Sequence, residues 1–120
     1  MGKSLGGSQR EELAIAQPRR VYRLVSELDP PESDFRAQSE ERPPYADPEL
    51  QRRAEEVSVW DRFERAEDLA RKRPGLRFVA VLEVPRDVRL RPGKRGHWGI
   101  PKGIAPDEIK RWVVEVVALP

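Results

Sequence analysis

The stretch Val57-Ser58-Val59-Trp60-Asp61-Arg62-Phe63-Glu64-Arg65-Ala66-Glu67-Asp68-Leu69-Ala70 changes its hydrophobic period part-way along. In Val57-Ser58-Val59-Trp60, valines alternate with other side chains, the period of two expected of a strand. From Phe63 onward, Phe63, Ala66, Leu69 and Ala70 recur at helical spacing and share one face. Asp61 and Glu64 form a capping-box-like pair at the junction, and Pro74-Gly75 stops the helix. A strand that passes into an amphipathic helix within a few residues calls for sheet and helix around one core.

Outward from this step, the other elements follow from the same rules. Val21-Tyr22-Arg23-Leu24-Val25 reads as a first strand between Pro18 and Asp29-Pro30-Pro31. Residues 27–46 form a long connection rich in Pro, Asp, Glu and Ser, of the kind that serves as a lid or stays disordered. Asp47-Pro48-Glu49 opens a helix to about Glu56, with an acceptor at the N-cap and proline at the first helical position. Residues 78–84 make a strand ended by Pro85, Val88-Arg89-Leu90 a short one, and residues 113–119 the last. Ala105-Pro106-Asp107-Glu108 begins one more helix. The resulting expectation is an α+β domain over residues 19–120, a small mixed sheet of four to five strands with two to three short helices packed against it.

Residues 1–18 read as a flexible tail, in which Ser8 and Glu11 can cap a short helix through Ala16. Gly2-Lys3-Ser4 is no phosphate loop, for no strand or upstream glycine precedes it. Met1-Gly2 lacks the serine or threonine that myristoylation needs, Gly6 standing there instead.

With 120 residues, 38% hydrophobic and 37% charged, and twelve prolines, the chain has a thin core and long solvated connections. There is no cysteine, which removes disulfides, thiolate nucleophiles and cysteine zinc sites. One histidine argues against a His-rich metal centre, so no metal is expected. The apolar runs are too short to span a bilayer and no secretory h-region is visible, so a cytoplasmic bacterial protein is the expectation.

Net charge is only +2, but it is unevenly spread. Arg86, Arg89, Arg91, Lys94, Arg95 and Lys102 face Asp87 alone within residues 86–102, leaving 17 basic and 20 acidic residues elsewhere. That local excess favours an anionic ligand over a general nucleic-acid coat. Arg95-Gly96-His97-Trp98-Gly99-Ile100-Pro101-Lys102-Gly103 overlaps it and holds the sole histidine. Two readings stay open: a loop that binds an anion or nucleotide, or a surface hairpin whose Trp98 packs back on the sheet.

Three charges interrupt apolar strand faces. Arg23 alternates with Val21 and Val25, Glu83 with Val79 and Val81, and Glu115 with Val113, Val117 and Leu119. A charge there is costly unless paired or open to a cleft. So Arg23 meets a carboxylate or lines a groove, or these are edge strands whose charges block aggregation. Ser58 neighbours Trp60, where it can bond a ligand stacked on the indole or simply face solvent. No Gly-x-Ser-x-Gly elbow marks it as a nucleophile.

Val21-Tyr22-Arg23, the Val57–Trp60 strand with its following helix, and the carboxylate-bearing last strand together resemble the ADP-ribosyltransferase-like fold, including small bacterial toxins and RES-type NAD-degrading toxins. The resemblance implies NAD as substrate, with Arg23, Ser58 and Glu115 catalytic and Trp60, Arg95, His97 and Trp98 binding the cofactor. Arg23 would contact the diphosphate or ribose, Ser58 the nicotinamide half, and Glu115 the developing oxocarbenium ion. The chain departs from the pattern: it has no Ser-Thr-Ser run, and Val113 stands where a second Glu or Gln would. The alternative is a non-catalytic module that sets residues 86–102 on an acidic protein or nucleic acid, or an accessory protein such as an antitoxin.

Overall fold

A computed structural model describes residues 16–120. The strands are β1 (Arg20–Val25), β2 (Val57–Trp60), β3 (Phe78–Glu83), β4 (Arg91–Pro92), β5 (His97–Ile100) and β6 (Val113–Ala118), and the helices α1 (Pro48–Ala54), α2 (Phe63–Ala70) and α3 (Pro106–Arg111). The α+β class stands. The described residues form one open sheet of six strands, ordered β4-β5-β2-β1-β3-β6, rather than four to five.

The sheet is antiparallel throughout, not mixed. The reason lies in the step that begins at Val57. β2, α2 and β3 make a crossover unit whose two strands run the same way, which by itself suggests parallel pairing. β1 inserts between them, however, and runs opposite to both.

The additional strand comes from the glycine-rich segment, which is a hairpin. Lys94-Arg95-Gly96-His97 forms its turn, with Arg95 at φ 56° and Gly96 at φ 81°, and the His97 N–H donates to the Lys94 carbonyl at 3.0 Å. Positive φ at both central residues marks a type I′ turn, whose twist suits a two-stranded hairpin. Val88 and Leu90 do not form a strand. Both are buried in the core instead, and pairing starts at Arg91.

Each face of the sheet has its own core. Val21, Val25, Val59, Leu82 and Ile100 point to one face, covered by Phe35, Ile109 and Trp112. Leu24 and Val79 point to the other, beneath Ala66 and Ala70 of α2. There Tyr22 meets Phe63 edge-on at 6.1 Å. The small alanines let the helix approach the sheet closely, and the larger Phe63 and Leu69 fill its flanks.

The connection over residues 27–46 is ordered by local anchors. It forms 3₁₀ turns at Glu32–Phe35 and Gln38–Glu41. Phe35 is fully buried, and the Asp34 carboxylate accepts from the backbone and hydroxyl of Ser26, both at 2.8 Å. One large apolar side chain among polar neighbours holds this segment on the core.

Asp47 caps α1 as expected, its Oδ1 accepting from the Glu49 N–H at 2.8 Å. Asp61 does not cap α2. Arg62 occupies the N-cap without a side-chain bond, and the Asp61 carboxylate lies against Gly96. The Ser8–Glu11 helix lies outside the described residues. Gln17 belongs to the fold: it donates to the Val88 carbonyl and accepts from the Leu90 N–H, each at 2.7 Å.

Candidate functional site: an arginine-lined cleft

The β1–β2 ladder carries a single opposed pair, Tyr22 with Trp60. Beyond it the strands part, and the Arg23 side chain enters the gap. Its Nε donates to the Asp34 carbonyl at 2.8 Å and one terminal nitrogen to the Ser58 carbonyl at 2.6 Å. Arg23 therefore meets backbone oxygens rather than a carboxylate. Burial pushes its pKa down to about 10, opposed by nearby Asp34 and reinforced by Arg73. It remains cationic at neutral pH.

This gap opens into a cleft of about 520 Å³. Leu24, Leu69 and Leu76 supply its apolar wall. Arg36 comes from the segment between the 3₁₀ turns, Arg53 from the end of α1 and Arg73 from just beyond α2. Ser58, Trp60 and His97 line it from the sheet. Trp60 and His97 are opposed residues of β2 and β5, their rings 5.0 Å apart at 63°. Trp60 is partly packed against the α2 core, which steadies the indole.

Charge in the cleft is only partly compensated. Arg53 reaches Glu49 at 3.3 Å. Glu56, the single carboxylate of the lining among the described residues, is held by Arg91 through two bonds of 2.5 and 2.8 Å. The Gly99 backbone leaves room for this pair, since a methyl group there would collide with the Glu56 carboxylate. Arg36 and Arg73 have no carboxylate partner among the described residues. Burial holds the His97 pKa below its ordinary value; Glu56 opposes this, and Arg53 and Arg91 add to it. Guanidinium groups left without carboxylates beside an aromatic surface can take up phosphate and hold a planar ring. Among the described residues no three His, Asp or Glu side chains gather as a metal ligand set.

The cleft brings together Arg23, Ser58, Trp60 and His97, but not the other residues singled out in the sequence. Trp98 points to the opposite face, packing against the core. Arg95 is exposed on the hairpin turn. Glu115 is exposed on β6, opposite Val81 and with β3 between its strand and β1. A register shift between Val81 and Leu82 pairs Val113 with Leu82, so Val113 and Glu115 no longer share a face. Glu83 is paired with Arg20 at 2.6 Å.

Arg36, Arg53, Arg73 and Glu56 were not legible as site residues. They lie in ordinary polar segments, at element ends spaced far apart in the chain. Comparison with known protein families, curated proteins and solved structures finds no match to this chain. Among the described residues no helix is long and apolar enough to cross a membrane.

Proposed function

We propose that this protein binds a nucleotide-class anion in the cleft, NAD being the member named by its resemblance to the ADP-ribosyltransferase-like fold. The observation that carries the reading is the convergence of Arg23, Arg36, Arg53 and Arg73 on a cavity walled by Trp60 and His97. Arg36 and Arg73 bind phosphate oxygens by charge-assisted hydrogen bonds, and the ring lies along Trp60 and the leucines. The reading is of binding, not NAD cleavage. Glu115 lies outside the cleft, and Glu56 is neutralised by Arg91. Among the described residues no carboxylate is therefore free there to stabilise an oxocarbenium ion.

Titration with NAD, ADP-ribose and AMP, followed by tryptophan fluorescence and by assay for nicotinamide, tests this. Saturable quenching is expected, weakened about tenfold by Arg73→Ala, with no nicotinamide released. Absence of binding by all three ligands at low salt would overturn the reading.

A second reading keeps the basic segment as a docking surface for an acidic protein or nucleic acid. Arg86, Arg89, Lys94 and Arg95 are exposed and unpaired among the described residues. Binding that ignores ionic strength would count against it.

A further inference from the structure

A second cavity, of about 370 Å³, adjoins the cleft, and the two share Arg53, Glu56 and His97 as common wall. Its far side is formed by Arg91, Pro92, Gly93 and Lys94 of the hairpin. Lys94 has no carboxylate partner among the described residues. Cationic side chains thus lie on both sides of the shared Arg53–Glu56–His97 wall, with Trp60 on the side of the larger cleft. Arg23, Arg36 and Arg73 stand on one side, Arg91 and Lys94 on the other.

The charge balance exceeds what one phosphate supplies. Among the described residues six cations line the two cavities against Glu56 alone, and Glu49 outside them engages Arg53. A phosphate monoester brings about −1.5 to −2 at neutral pH, roughly half of the remaining positive charge. A mononucleotide seated against Arg36 and Arg73 leaves Lys94 without an anion.

We infer that the ligand is a nucleoside bearing phosphates on both sides of its sugar, a 3′,5′-bisphosphate unit, either free or as an internal unit of a single strand. The inference rests on the nucleotide reading above and narrows it. One phosphate occupies the Arg36–Arg73 end, the base lies along Trp60, and the second phosphate reaches Lys94 beyond His97.

Calorimetric titration of the full chain with adenosine 3′,5′-bisphosphate, AMP, adenosine 3′-phosphate and single-stranded pentaadenylate tests it. The bisphosphate is expected to bind about tenfold tighter than either monophosphate. Lys94→Ala, with an unchanged circular dichroism spectrum, should remove that advantage and leave AMP affinity within about twofold, whereas Arg73→Ala should weaken both. Pentaadenylate tighter than the free bisphosphate assigns the unit to a strand; the reverse order assigns it to a free metabolite. A bisphosphate no tighter than AMP, or Lys94→Ala weakening both equally, overturns the inference while the nucleotide reading stands. If none of the four binds, the inference falls, and the nucleotide reading falls with it when NAD and ADP-ribose fail in the same titration.

Discussion

Arg23 and Glu56 both carry charge into partly enclosed surroundings, and they are satisfied in different ways. Arg23 spends its donors on two backbone carbonyls where a strand ladder stops, so its charge is not cancelled by a neighbouring carboxylate. Glu56 is largely buried and bound by both arms of Arg91, a pair that neutralises itself. Breaking the pair leaves Arg91, whose side chain is partly exposed, to be solvated by water, so the cost is about 1 kcal/mol. Glu56→Gln should therefore lower unfolding stability in urea by about that amount. It should also raise affinity for nucleotide anions, because Arg91 is then free to bind phosphate. Lower affinity with unchanged stability would mean that Glu56 contacts the ligand itself. Arg23 was visible as an anomaly on an apolar strand face. Its partners were not, because a backbone carbonyl thirty-five residues away leaves no mark in the sequence.

At the scale of elements, the hairpin of β4 and β5 accounts for most of the distinctive glycine-rich segment. Gly96 takes positive φ readily, but Arg95 adopts it against the clash of its own Cβ. Asparagine tolerates this conformation better than arginine. Arg95→Asn should stabilise the fold by about 0.5–1 kcal/mol, seen as a rise of a few degrees in thermal midpoint. Nucleotide affinity should hold, since Arg95 lines neither cavity. A marked loss of affinity would return Arg95 to the site. The helix starting at Phe63 was readable from its apolar spacing, and α1 from Asp47-Pro48. By sequence the hairpin is compatible with either a ligand loop or a turn. Both need glycine, and only the φ angles and the inward packing of Trp98 separate them.

At the scale of the whole molecule, the cleft exists because β1 sits between β2 and β3 and then diverges from β2. That divergence sets Arg23, the turn after α2 and the end of α1 around one opening, and places His97 in the wall common to both cavities. Folding depresses the His97 pKa, chiefly through burial, so the neutral ring is the favoured form in the folded chain. Its contribution to stability is complete above about pH 6.5 and declines as pH falls through that value towards the folded pKa. A bound phosphate favours the protonated ring and raises its pKa, so binding takes up a proton. Nucleotide affinity should accordingly increase from pH 7.5 to pH 6, and His97→Gln should remove that component of the profile. A profile unchanged in the variant would exclude His97 from the linkage.

Local pattern alone determined the α+β class, the strand into α2, the capped start of α1, and the anomaly of Arg23 on an apolar strand face. Each depends on neighbours within one or two turns of chain, where periodicity and capping chemistry act. Tertiary structure alone decided the antiparallel order, the ordering of residues 27–46 through Phe35, the separation of Glu115 from Arg23, and the recruitment of Arg36, Arg53 and Arg73. Those outcomes turn on which strand lies beside which, a matter of packing between distant segments. The sheet arrangement joins residues 23, 58 and 97 in one wall and leaves residue 115 beyond another strand.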